Sequence, residues 1–204
     1  MLKKFAADAL GISDIGQIIS SDKYHLVDAD DYIMHEDGEK IFFLIKSKTD
    51  EYCFTNLAFI HVDGTSAVSK KRTVRRYEYY CNHISRVEIE TAGTVDLDCE
   101  LKFILGDVAF SIDVDKKQLE SLKDIYKALI QIGLLNSHNR DLLQRAEKSL
   151  EVTATSLGRT TIDSQSYLEL FTAVNEYSFD WLKQAKETYI QKDFSNVFKN
   201  YINN

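Results

Sequence analysis

Five cations fall within seven positions in the run Lys70, Lys71, Arg72, Arg75 and Arg76. Ammonium and guanidinium groups at that density hold phosphate oxygens by charge-assisted hydrogen bonds, so the run is the chain's foremost candidate ligand site. Lys46 and Lys48, in the first hairpin, can join it, and the ligand of such a patch is a phosphate group or an anionic membrane surface. Two features oppose that reading. Asp50 and Glu51 share the hairpin with the two lysines, and strand alternation sends Arg72 and Arg76 to one face and Arg75 to the other. The competing reading is a charged edge strand whose Lys and Arg discourage unwanted sheet pairing and meet acidic neighbours. Whole-chain charge favours it: 204 residues carry 25 Lys and Arg against 32 Asp and Glu, a formal net charge of -7. That balance also excludes a general nucleic-acid binder, which needs an excess of cations to displace counterions from phosphates.

Other reactive residue types are placed less suggestively. Asp96, Asp98 and Glu100 alternate along one strand face, where three carboxylates can share protons or a divalent cation, but that spacing also marks the solvent face of any half-buried strand. The histidines, His25, His35, His61, His83 and His138, never stand at metal-ligand spacing with one another. The acidic stretch from Asp28 to Glu39 has the carboxylates of a calcium loop, with its glycine and final glutamate at the wrong offsets. Cys53, Cys81 and Cys99 are odd in number and widely spaced, which reads as buried free thiols in a reducing compartment. Neither a Gly-rich phosphate loop nor a G-x-S-x-G elbow occurs. No residue is nominated for catalysis, so the chain reads as a non-enzyme with no metal and no cofactor.

The elements that must position these residues are divided by hydrophobic period, because proline is absent. Up to about Asp115 the chain alternates with a period of two. Val108, Phe110, Ile112 and Val114 share a face, as do Leu97, Cys99, Leu101 and Phe103, and Val87 with Ile89. Such runs are half-buried antiparallel strands. Ile41–Ile45, Tyr52–Asn56 and Ala58–Val62 add more, with Asp63-Gly64 and Gly106-Asp107 as turns. After Asp115, a good N-cap, Leu119, Leu122, Ile125, Tyr126 and Leu129 repeat at helical spacing, and Gly133 reads as the stop.

A second helical text follows Ser137, with breaks read at Gly158 and before Ser178. Its large apolar residues, Leu168, Phe171, Leu182, Phe194, Phe198 and Tyr201, are the candidates for self-association or docking, since a chain end this rich in aromatics is usually packed against something. At the other end, Leu2–Leu10 reads as a short amphipathic helix stopped by Gly11; Asp8 interrupts any signal-peptide core, and a cytoplasmic location is expected. No segment approaches the roughly eighteen apolar residues of a membrane span.

The sequence from Glu39 to Gly133 resembles the bacterial pleckstrin-homology-like (PH-like) family. The residues that carry the resemblance are Phe54-Thr55-Asn56, Ile60-His61-Val62-Asp63, Ser69-Lys70-Lys71, and above all Ile84 with Glu88-Ile89-Glu90-Thr91-Ala92-Gly93 running into Asp96-Leu97-Asp98-Cys99-Glu100-Leu101. It implies a seven-stranded, strongly bent antiparallel sheet closed by a C-terminal helix. The helical tail resembles an extension associated with oligomerisation on some members. Leu57-Ala58 stands where the family commonly has a basic pair, and the proline usual near Tyr79 is missing.

The expected fold is therefore α+β. Residues 1–135 form a bent antiparallel sheet or barrel of about seven strands closed by a helix, preceded by a short N-terminal helix, and residues 136–204 form an all-α helical hairpin. The expected function is that of a scaffold or interaction protein that assembles with copies of itself through the tail and meets a protein partner. The runner-up is a peripheral module for anionic lipid or phosphate ligands, using Lys46, Lys48 and the run Lys70 to Arg76.

Overall fold

The computed structural model describes residues 13–64, 72–91, 93, 97–158 and 164–202. The expected helix over Leu2–Leu10, the pair Lys70 and Lys71, and Asp96 lie outside the described residues. The chain divides into two units, one made of residues up to 134 together with those from 192 onward, the other of residues 135–191.

The first unit forms where the sequence alternates. Strands β1 (Gln17–Ile18), β2 (Ile41–Lys46), β3 (Glu51–Thr55), β4 (Ala58–Gly64) and β5 (Arg72–Glu78) pair in that order as one antiparallel sheet. Strands β6 (Ile84–Glu90), β7 (Asp98–Leu105) and β8 (Val108–Asp115) form a second. Among the described residues eight strands stand where about seven were expected, the two-residue β1 being too short to leave an alternation in the sequence.

Since successive side chains on a strand point to opposite faces, Leu44, Cys53, Ile60 and Val62 lie together on one face of the larger sheet. Three 3-10 turns (Ser21–Leu26, Asp28–Tyr32 and His35–Asp37) and their junctions cover that face, contributing Val27, Ala29 and Ile33. On the other face Phe54 and Phe59 meet Phe103 of β7, and Phe59 also meets Phe110 of β8, with ring centroids between 4.8 and 6.1 Å apart. Helix α1 (Leu119–Leu157) adds Leu122, Ile125, Leu129 and Ile132, spaced by three and four and all fully buried. Each such side chain stabilises the fold by roughly 1.5–3 kcal/mol.

Local signals account for some boundaries and fail at others. Gly106-Asp107 is the two-residue loop between the paired Leu105 and Val108, and Gly106 takes φ +61° as a tight hairpin requires. Asp115 accepts the Lys117 N–H at 2.9 Å and so caps the turn that opens α1. Asp63 and Gly64, expected as a turn, instead end β4 opposite Thr73 and Arg72. Gly133, expected to stop the helix, lies inside α1; a Cβ there would sit 2.7 Å from the Ile84 carbonyl oxygen, so glycine serves close packing of helix on strand.

The second unit consists of the rest of α1 and helix α2 (Ser164–Tyr189). Ser178, expected to cap a separate helix, lies inside α2. Leu150 and Ala154 of α1 face Ala173, Val174 and Tyr177 of α2 around an apolar cavity of about 250 Å³. Helix α3 (Ser195–Tyr201) belongs to the first unit, so the expected single extension over 136–204 gives way at its end to a segment that returns to the β-rich part.

Candidate functional site

Most of the described cations of the candidate basic patch are committed to carboxylates of the same chain. Lys46 is buried with its Nζ 2.7 Å from Glu51 Oε1. Glu51 also accepts the Asp28 and Ala29 backbone N–H groups, at 3.2 and 2.6 Å, and thereby ties the second 3-10 turn to the sheet. Arg76 donates from one terminal nitrogen to both oxygens of Glu39 at 3.0 Å and from Nε to Glu78 at 3.2 Å. The Glu39 side chain is fully buried and further accepts from Thr55 Oγ1 and the Met34 N–H. Burial opposes the charge on Arg76, but the hydrogen bond and charge of Glu39, then those of Glu78, outweigh it and raise its pKa.

Arg72 reaches Asp28 at 3.4 Å and the exposed Arg75 reaches Asp63 at 2.9 Å. Lys46, Arg72 and Arg76 share the face of the sheet beneath the 3-10 turns, and Arg75 takes the other, as alternation required. Lys48 is exposed, held through its backbone N–H to Ser13. The structure thus gathers three of these cations, but around acidic residues that fasten the 3-10 cover to the sheet.

Asp98 and Glu100 do share the outer face of β7. Glu100 forms an ion pair with Lys102 at 2.8 Å and accepts from Ser111, and Lys102 also holds Glu90 at 2.6 Å. Asp113, opposite Glu100, has its pKa raised by burial and by the charges of Asp98 and Glu100. Among the described residues no group of three or more His, Cys, Asp or Glu could hold a metal ion. His61 stacks on Tyr52 and bonds Asp50 at 2.9 Å. Cys53 and Cys99 are buried, and Cys81, expected to be buried, is exposed because it sits in the turn between β5 and β6.

The helical candidates separate into two groups. On α2, Leu168 and Phe171 are 71% and 60% exposed, and Leu182 is half-buried. Phe179, 69% exposed, joins them; at 3.6 residues per turn the four fall within a sector of about 80°. Sequence reasoning missed Phe179 because a helix start read at Ser178 broke the stripe in two.

Phe194 and Phe198 are fully buried in the first unit, and Tyr201 is half-buried there. Phe198 stacks on Phe42, and Phe194 meets Tyr79 edge-on at 5.7 Å. Asn56, in the β3–β4 turn, completes the seat. Its carbonyl accepts the Phe194 N–H at 2.9 Å, its amide donates to Asp193 at 3.0 Å, and its side-chain oxygen accepts the Lys40 N–H at 2.8 Å. Asp193 in turn accepts the Ser195 N–H at 2.6 Å, ahead of α3. These aromatics dock on the chain's own domain.

Comparison with known proteins matches two families along the chain, the second of which includes the docked C-terminal segment. Residues 9–133 match the model of the bacterial PH domain family, and residues 144–204 match the YvbH-like oligomerisation region. A Bacillus subtilis (strain 168) protein, "Uncharacterized protein YvbH", is 53% identical over 204 residues, covering all of both chains. "Uncharacterized protein YjqA" of the same organism is 36% identical over 97 residues, 47% of this chain and 76% of its own. The crystal structure of a PH-domain-containing protein from Exiguobacterium sibiricum 255-15 superposes with a TM-score of 0.85 at 49% identity, covering 93% of this chain and all of that one. The chain belongs to the bacterial PH domain family and carries, after that domain, a YvbH-like oligomerisation region.

Proposed function

We propose that this chain is a non-catalytic, self-assembling protein that presents several copies of its PH-like domain to a protein partner. The supporting observation is the exposed apolar stripe of Leu168, Phe171 and Phe179 on α2, within the segment that matches an oligomerisation region. Large apolar side chains exposed in a row mark surfaces that are covered in the working state. A second copy brings the same stripe, and each added copy multiplies weak contacts made by the PH-like domains into avidity. The anionic-ligand reading draws less support, because Lys46, Arg72, Arg75 and Arg76 each face a carboxylate.

Light scattering after size exclusion tests the proposal on the full chain and on the double variant Leu168→Glu, Phe171→Glu. The wild type is expected to elute well above the 23.4 kDa of one chain, and the variant at one chain's mass with unchanged circular dichroism. A wild type that is monomeric at micromolar concentration rejects the reading.

A further inference from the structure

The hairpin of residues 135–191 is preceded and followed by segments of the first unit. Before it, α1 is fixed by Leu122, Ile125, Leu129 and Ile132. After it, only Ile190, Gln191 and Lys192 separate the end of α2 at Tyr189 from Asp193, the first residue of the Asn56 seat. Phe194 and Phe198 then fill the space beside Phe42 and Tyr79. Hence α2 is tethered at its C-terminal end by a short link to a docked segment. Between the helices of the hairpin lies an apolar cavity of about 250 Å³. Side chains that line such a gap have fewer mutual contacts to fix the arrangement of the helices.

We propose that the segment from Asp193 to Tyr201 is a latch that controls the assembly competence of α2. This rests on the self-assembly reading above. With the latch seated, the chain on either side of the hairpin is held by packing within the first unit. With the latch released, α2 keeps its chain connection to α1 and its apolar contacts with that helix, and ordering the stripe at each association event costs entropy that the closed latch has already removed. Release therefore weakens association without touching a residue of the stripe, and association in turn favours the closed latch, since the coupling is reciprocal.

The test uses the full chain as wild type, Asp193→Ala and Phe198→Ala. The first variant removes the Asp193 carboxylate, with its hydrogen bonds and charge, and leaves the aromatic seat filled, so it guards against a domain that fails to fold. Amide hydrogen exchange at Phe194, Val197 and Phe198 reports latch opening, and light scattering over a dilution series reports association. The expected result is faster exchange at these amides, with dissociation at concentrations about tenfold higher than for the wild type. Opened latches with unchanged association overturn the coupling and leave the self-assembly reading standing. Unchanged exchange in both variants also overturns it, since these contacts then hold no latch. A wild type monomeric at every concentration removes the self-assembly reading itself, and the latch proposal with it.

Discussion

Phe198 lies on Phe42 with ring centroids 5.2 Å apart and 18° between the planes, so a residue six positions from the chain end completes the packing of β2. Both the aromatic pair and the burial of Phe198 contribute to stability. Phe198→Ala is expected to cost about 3–5 kcal/mol, the usual range for a buried phenylalanine. Urea unfolding followed by far-UV circular dichroism measures it. A loss under about 1 kcal/mol would mean the terminal segment is not part of the domain core. The same reasoning predicts that a chain ending near Leu135 exposes Phe42 and Tyr79 and does not fold as the complete domain does.

What was legible in the sequence was local. Alternation fixed which side of the sheet takes Leu101, Phe103, Ile112 and Val114, and the same alternation separated Arg75 from Arg72 and Arg76. Gly106 and Asp115 act within two residues of themselves and were readable for that reason. The partners that decide the role of the basic run are distant: Arg76 meets Glu39 at a separation of 37 positions, and Asn56 meets Asp193 at 137. A charge run shows its own sign but not which carboxylates fold against it. Likewise serine is a frequent helix cap and an acceptable helix interior residue, and nothing near Ser178 distinguishes the two.

Gly133 separates two meanings of a glycine in a helix. In an exposed helix interior Gly→Ala stabilises by about 0.8–1 kcal/mol. Here the added methyl would lie 2.7 Å from the Ile84 carbonyl oxygen and 3.7 Å from the Ile84 Cβ. The obstacle is backbone, so β6 or α1 has to move. Overpacking of this kind costs roughly 1–3 kcal/mol, and the net effect expected of Gly133→Ala is destabilising. A rise in the thermal midpoint would show that the helix does not approach the strand this closely.

The pair Glu39 and Arg76 tests whether the candidate patch is structural. Removing one partner leaves a desolvated charge, so Arg76→Met is expected to cost about 3–5 kcal/mol. Adding Glu39→Leu to Arg76→Met is expected to recover part of that loss, because an apolar pair of similar volume needs no compensating charge. Urea midpoints of the four proteins in the cycle give the coupling. A single substitution that costs less than about 1 kcal/mol would resemble an exposed ion pair instead and would free Arg76 for an anionic ligand.

Acid should loosen the C-terminal seat, which is fully stabilised by Asp193 at neutral pH. Burial acts to raise the pKa of Asp193, but hydrogen bonds from Ser195 and then Asn56 outweigh it and hold the carboxyl below its ordinary value. A carboxyl with a depressed folded pKa binds its proton less readily in the folded chain than in the unfolded one. Its stabilisation is therefore complete above the unfolded value of about 3.9 and is lost as pH falls through the folded value. Asp50, where burial is outweighed by hydrogen bonds from His61 and Thr49, adds loss of the same sign. Asp113, raised by burial and by Asp98 and Glu100, runs the opposite way and offsets part of it as pH falls. Asp193→Asn should then be less stable than wild type by about 1 kcal/mol at neutral pH, allowing for its contact with solvent. Measured from about pH 6 to about pH 2, the two stability curves are expected to converge in acid. A difference that stays constant across that range would assign the Asp193 contribution to shape and not to charge.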